Sequence, residues 1–295
     1  MLFKSYLQLA KPRLTAMVLL TAATGYLLAS RGPIDWRRLG LALLGTGLAA
    51  IGAGTFNQLL EADRDAKMQR TRRRPLPTGA ISPIHAFAFA VAATAAGLGL
   101  LNELVNPLTA LLGLANVLLY TLVYTPLKPR TSLNTLIGSV CGAVPPLMGW
   151  TAAANQLAPQ ALLLAAILFV WQVPHFLSLV WLYRSDYTAA GYRMLPVIDA
   201  DGRLTCLLIV LYSLTLLPLG LMMTFCGVAG YLFAAVSLVL GLGLFGLALR
   251  LRAVQTRQNA RRVFLATLAY LPLLLGFLLA DSPAVYASIA AGRPF

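Results

Sequence analysis

Nine apolar runs, each about 17 to 25 residues long and so able to cross a bilayer as a helix, take up most of this 295-residue chain. They lie at 14–30, 39–57, 83–101, 107–125, 133–151, 160–182, 204–224, 228–249 and 262–280. In hydrocarbon every backbone N–H and C=O needs an internal partner, and continuous apolar runs meet that need as helices. The chain is 59% hydrophobic and 11% charged, with a mean hydropathy of +0.78, which excludes an ordinary soluble domain. The expected fold class is therefore all-α: a polytopic membrane bundle of about nine transmembrane helices, one integral-membrane domain over residues 1–295.

The cations orient it. Nineteen Lys and Arg fall on the side of the N-terminus, and only Arg31, Arg37, Arg38 and Arg293 fall on the other. By the positive-inside rule the N-terminus is cytoplasmic and the C-terminus outside. The net charge of +14 is thus mostly topological. No soluble module interleaves the cations, so nucleic acid is excluded as a partner; membrane lipid and an anionic substrate remain. The first apolar run is a full span closely followed by another, so it reads as a retained helix. The expected location is a bacterial inner (cytoplasmic) membrane. Cys141 and Cys206 lie in expected spans and Cys226 just past the end of one, none with C-x-x-C spacing, and all three read as small core residues.

Glycines in the second run (Gly45, Gly47, Gly52, Gly54) and the fifth (Gly138, Gly142) point to close helix contacts. The connections are short except near 58–82 and 183–203. Those two loops follow the second and sixth runs, a hint of two related halves facing one cavity.

The first long loop concentrates charge. On a helix Asn57, Glu61 and Asp65 recur at i, i+4 and i+8 and share one face, while Asp63 points away. Two carboxylates and an amide on one face, followed by a basic stretch, suit Mg²⁺ ions bridging protein oxygens to a diphosphate. Asp63 and Lys67 form an i, i+4 pair with a structural role. Arg70 and Arg74 are placed to clamp phosphate oxygens, whereas Lys67, Arg72 and Arg73 suit lipid headgroups. Arg74-Pro75 and Pro77-Thr-Gly79 should end this helix, and Ser82-Pro83 reads as an N-cap with Pro at the first helical position. His85 beside it reads as interfacial.

Two further cytoplasmic corners carry polar groups. At Tyr124-Thr-Pro126-Leu-Lys128-Pro129-Arg130, Lys128 can neutralise a leaving diphosphate and Tyr124 can donate to it; an ordinary positive-inside loop with an interfacial Tyr reads equally well. At Trp171-Gln172-Val-Pro174-His175-Phe176, Pro174 should kink the sixth span and free a carbonyl. His175 and Asp186 are eleven residues apart, which returns to nearly one helical face about 16 Å along the axis. That places Asp186 at the aqueous rim and His175 deeper. No Walker A loop, G-x-S-x-G or H-E-x-x-H is present.

These segments resemble a known family. N-x-x-x-E-x-x-x-D at 57–65, running into Lys67-Met-x-Arg70-Thr-x-x-Arg-Pro-Leu-x-x-Gly, is similar to the first acid-rich motif of the intramembrane prenyltransferase superfamily. Tyr-Thr-Pro-Leu-Lys at 124–128, Gly142-Ala-x-Pro-Pro-x-x-Gly149-Trp150, and Trp171-Gln-x-Pro-His-Phe followed by Asp186-Tyr-x-x-x-Gly-Tyr resemble its haem-directed branch, the protohaem IX farnesyltransferases. The resemblance covers roughly residues 8–200. Glu61 stands where many members have Asp, a full second D-x-x-x-D is missing, and Pro129 replaces an expected basic residue.

The resemblance implies farnesyl transfer from farnesyl diphosphate to a vinyl group of haem B, with water addition giving haem O for respiratory oxidases. It implies Mg²⁺ held by Asn57, Glu61, Asp65 and Asp186, and diphosphate met by Lys67, Arg70, Arg74, Tyr124, Lys128 and Arg130. His175 joins the four metal-site residues as a catalytic candidate on the haem side. A haem A synthase or an oxidase assembly factor is the implied protein partner. The alternatives are prenyl transfer to an aromatic quinone precursor, a transporter, and a non-catalytic assembly factor.

Overall fold

The computed structural model describes residues 2–291, so the expectations placed on Arg293 and the chain's C-terminal end lie outside the described residues. A short α1 (Leu2–Leu9) precedes the first span, α2 (Pro12–Ala29). Next come α3 (Trp36–Leu60), the single turn α4 (Ala62–Asp65) and α5 (Pro83–Leu104). The fourth span begins as α6 (Pro107–Leu118), widens into a π-helical turn (Leu119–Tyr124) and ends in α7 (Thr125–Leu127). Then follow α8 (Asn134–Ala154), α9 (Pro159–Leu182), the short α10 (Arg184–Ala189) and α11 (Leu195–Ile198), α12 (Arg203–Phe225), α13 (Tyr231–Ala253), α14 (Arg257–Ala280) and α15 (Pro283–Ala291). Among the described residues nine helices are long and apolar enough to cross a membrane, each matching one apolar run of the sequence to within a few residues at either end.

Local chemistry sets the helix ends. Ser82, Asn106 and Thr256 accept from the N–H three residues on, and Pro follows Ser82 and Asn106 at the first helical position. Asp35 caps α3 in the same way, accepting from Arg38 N. The π-helical turn sits where Pro126 has no N–H to return to the preceding turn, and Thr125 Oγ1 donates to the Tyr120 carbonyl at 2.8 Å.

Small residues let the helices meet at backbone distance. A Cβ on Gly149 of α8 would land on the carbonyl oxygen of Ala22 in α2, and one on Gly25 would strike the Pro146 carbonyl. Gly45 of α3 faces the Gly97 carbonyl of α5, and Gly142 of α8 faces the Gln172 side chain of α9. The largest apolar cluster joins α8, α9, α12, α13 and α14.

Three expectations are corrected. The acid-bearing helix does not run to Arg74: α3 stops at Leu60, where Glu61 has non-helical angles (φ −103°, ψ 5°), and only the turn α4 follows. α9 is one continuous helix through Pro174 and ends at Leu182, so His175 and Asp186 lie on separate helices. Cys226 is exposed at the end of α12, while Cys141 and Cys206 are buried.

Candidate functional site

One cavity of about 490 Å³ opens between α2, α3, α6, α8 and α9. Five cations (Lys11, Arg13, Arg70, Arg74, Lys128) and two carboxylates (Glu61, Asp65) line it, all from the end of the bundle where α2 begins and α3 ends. Farther along the helices the wall becomes Gly, Ala, Met and Leu, joined by Trp171, Gln172 and His175 of α9 and by Asn116, whose buried Oδ1 has no partner. His175 lies seven residues before the end of α9, roughly 10 Å inward.

The carboxylates converge although their helix breaks. Asp65 N still donates to the Glu61 carbonyl at 2.7 Å and Glu61 N to that of Asn57 at 3.0 Å, so the chain keeps a helix-like path through the non-helical residue. Asn57, Glu61 and Asp65 thus stay on one side and are all buried. Asp63 is exposed and turned away, as the spacing predicts, but it makes no ion pair with Lys67.

Each buried acid has a cation. Arg74 Nη1 lies 2.6 Å from Asp65 Oδ2, and Lys128 Nζ lies 2.8 Å from Glu61 Oε1. Burial pushes the Glu61 carboxyl up, but Lys128 and then Lys11 outweigh it and hold it below the usual carboxylate range. Burial pulls the Lys128 ammonium down; Glu61 more than reverses this and leaves it well above the usual lysine value. Lys128 also sits 4.6 Å from the centre of the Tyr124 ring.

Lys11 is the residue that sequence reasoning missed. Its Nζ donates to Asn57 Oδ1 at 2.9 Å, and Asn57 Nδ2 donates to Thr125 Oγ1 at 3.2 Å, so both ends of the amide are engaged. Burial, together with Arg74 and Lys128, pushes the Lys11 ammonium down to about 7. Its backbone is left-handed (φ 47°), uncommon for a side chain with a Cβ. The Lys-Pro-Arg string before the first span gave no signal beyond ordinary topology.

The two long loops close the mouth together. Met68 packs with Val180, Tyr187, Ala190, Tyr192 and Met194, and Arg193 N donates to the Lys128 carbonyl at 3.0 Å. Asp186 accepts from the backbone N of Arg70 at 3.1 Å, and Arg70 Nη2 reaches Tyr187 Oη at 3.3 Å.

Of the residues singled out in the sequence, Asn57, Glu61, Asp65, Arg70, Arg74, Tyr124, Lys128 and His175 line the cavity. Lys67 and Arg130 are exposed and off its wall, and Asp186 holds the Arg70 loop from outside it. Among the described residues no cluster of three or more His, Cys, Asp or Glu could hold a metal alone. Two convergent carboxylates and an amide oxygen are nonetheless hard donors of the kind Mg²⁺ takes alongside substrate phosphates and water.

The model of the UbiA prenyltransferase family matches residues 18–291. Protoheme IX farnesyltransferase of Solibacter usitatus is 40% identical over 289 residues, covering 95% of this chain and 99% of that protein. The solved structure described as digeranylgeranylglyceryl phosphate synthase in membranes has a TM-score of 0.80 at 16% identity, covering 97% of this chain and 99% of that one. A UbiA homolog from Archaeoglobus fulgidus bound to GPP and Mg²⁺ has a TM-score of 0.68 at 17% identity, covering 96% and 99%. The chain belongs to the UbiA prenyltransferase family.

Proposed function

We propose that this protein transfers the farnesyl group of farnesyl diphosphate to a vinyl group of protohaem IX (haem B), with water addition, giving haem O. The observation that carries the reading is the polarity gradient of one cavity: paired acids and cations at its mouth, an apolar and aromatic interior behind them. The relatives named protoheme IX farnesyltransferase support this acceptor over a quinone precursor. Charges gathered at one rim, not at mid-depth in two broken spans, speak against a transporter.

The chain's own residues divide the work. Lys11, Arg70, Arg74 and Lys128 meet the diphosphate and stabilise the charge that grows as the allylic C–O bond breaks. Mg²⁺, which the neighbour from Archaeoglobus fulgidus binds with GPP, would be held by Asn57, Glu61 and Asp65 and would supply further charge neutralisation to the leaving group. Before substrate arrives, Arg74 and Lys128 occupy the acids, so the buried charges are never unpaired. The vinyl group attacks the farnesyl carbon, and water adds to the cation left beside the porphyrin ring, releasing one proton. The apolar walls keep other water away from the cation.

The cation-rich end is assigned to the cytoplasm of a bacterial inner membrane, with the N-terminus inside and the C-terminus outside, on the 19-to-4 division of cations. Haem O would pass from there to a haem A synthase or an oxidase assembly partner. The test is purified protein in lipid nanodiscs, given farnesyl diphosphate with haem B or with 4-hydroxybenzoate, with Mg²⁺ or with EDTA. Hydroxyethylfarnesyl haem formed only with Mg²⁺ is the expected product. A prenylated aromatic acid with no haem product overturns the assignment.

A further inference from the structure

The imidazole of His175 is held on three sides. It stacks against Trp171, with ring centres 5.0 Å apart at 18°, and against Phe264, at 5.1 Å and 29°. Its Nδ1 lies 2.9 Å from Thr267 Oγ1 on α14. Thr267 is fully buried, and its backbone carbonyl accepts from Trp171 Nε1 at 2.9 Å, so one residue anchors both the imidazole and one of its stacking partners.

The hydrogen bonds decide which nitrogen carries the proton. Thr267 Oγ1 also lies 2.6 Å from the Phe264 carbonyl oxygen. A carbonyl only accepts, so the single hydroxyl proton of Thr267 goes there. The contact to His175 must then run the other way, with Nδ1–H donating to Thr267 Oγ1. A neutral imidazole protonated at Nδ1 carries its lone pair on Nε2. Nε2 has no hydrogen-bond partner among the described residues, and His175 lines the cavity. A tautomer fixed by donation from one ring nitrogen, with the other nitrogen free, is the usual state of a metal-ligating histidine, and here the stacked rings of Trp171 and Phe264 also hold the imidazole plane.

We infer that Nε2 of His175 is an axial ligand to the iron of the porphyrin substrate, and that Thr267 is the positioning residue that fixes its tautomer and aim. This rests on the haem-directed reading above, the iron belonging to the acceptor. Ligation would moor the macrocycle in the apolar interior, with its edge free to meet the farnesyl chain entering from the charged mouth.

The experiment titrates haem B into the protein in nanodiscs and reads its absorption bands, for the wild type, Thr267→Val, Thr267→Ser and His175→Ala, with farnesyl diphosphate binding measured alongside. Wild type should show a nitrogen-ligated spectrum. His175→Ala should lose it and regain it when free imidazole is added. Thr267→Val should bind haem B roughly 10- to 100-fold more weakly with shifted bands, the scale of losing a ligand's hydrogen-bond partner. Thr267→Ser, which keeps the hydroxyl, should stay near wild type, and all variants should bind farnesyl diphosphate normally. A Thr267→Val protein with wild-type spectrum and affinity, or a nitrogen-ligated spectrum surviving in His175→Ala, overturns the inference and leaves the proposed function standing. A wild-type protein that binds farnesyl diphosphate but not haem B overturns both.

Discussion

Lys11 and Asn57 are 46 residues apart in sequence, yet Lys11 Nζ donates to Asn57 Oδ1 at 2.9 Å. The bond ties the start of the first span to the end of the second at the mouth of the cavity. It also places an ammonium with a value of about 7 where a diphosphate would arrive. An anion binding there favours the charged form, so binding should pull a proton onto Lys11.

Farnesyl diphosphate affinity is accordingly expected to fall as pH rises through about 7, because the neutral amine carries no charge to offer. Calorimetry at pH 8 in buffers of differing ionisation enthalpy should show proton uptake on binding, reduced in Lys11→Met. That variant should bind the diphosphate roughly 10- to 100-fold more weakly, the value of one hydrogen bond to a charged group. In the free protein the sign is opposite. Folding holds this lysine below its ordinary value, so the unfolded chain binds more protons between about 7 and 10.5, and the contribution of Lys11 to stability rises with pH across that window. Equal proton uptake in the two proteins would remove Lys11 from the site.

Glu61→Ala and Asp65→Ala should each lower turnover by on the order of 10² or more, the scale of losing one preorganised charge-stabilising group. Asp63→Ala should cost far less, because Asp63 is exposed and faces away from the cavity. Steady-state rates of haem product for the three variants decide it. Comparable losses at Asp63 and Asp65 would show that the division by face is wrong.

The spans were legible because helix length in lipid is fixed by bilayer thickness, so composition alone locates them. Glu61 and Asp65 were legible for another reason: their i, i+4 spacing survives the break after Leu60, since Glu61 N and Asp65 N keep their helical acceptors. The placement of Asp186 depended instead on α9 continuing past Leu182. A tilt at Tyr183 (φ −112°, ψ 27°), which no Gly or Pro announces, sent it to the Arg70 loop. Lys11 and Thr267 were illegible, because each gains its role from a helix distant in sequence.

Lys128 neutralises Glu61 until substrate arrives, so it competes with any cation for that carboxylate. Lys128→Met should therefore strengthen Mn²⁺ binding in the absence of diphosphate, read by electron paramagnetic resonance, while weakening farnesyl diphosphate. Weaker binding of both would mean that Lys128 holds the acids in place and does not compete for them.

Asp186 separates positioning from metal binding through a conservative change. Its carboxylate accepts from the backbone N of Arg70, a bond that an amide oxygen can also accept. Asp186→Asn should keep most activity and Asp186→Ala should lose more, with a higher KM for farnesyl diphosphate as the Arg70 loop loosens. Were Asp186 to reach a metal during turnover, Asn and Ala would be similarly damaging and the loss would appear in kcat.

Gly149 tests the fold independently of the chemistry. A methyl group there would meet the Ala22 carbonyl oxygen, and neither backbone can yield without moving α2 from α8. Gly149→Ala should destabilise by about 1 to 3 kcal/mol, the range for overpacking a close contact. Gly246 on α13 is the control, since nothing lies within 4 Å of a Cβ placed on it. Gly246→Ala should be neutral or slightly stabilising, as alanine is the better helix former. Thermal unfolding in one detergent compares the two, and a Gly149→Ala protein melting with wild type would mean that α2 and α8 are not packed at backbone distance. Because Lys11 is the N-cap residue immediately before α2 and α8 carries Gly138 and Gly142 of the cavity wall, their separation should also open the site. Weaker farnesyl diphosphate binding should therefore accompany the lower melting temperature in Gly149→Ala and be absent from Gly246→Ala.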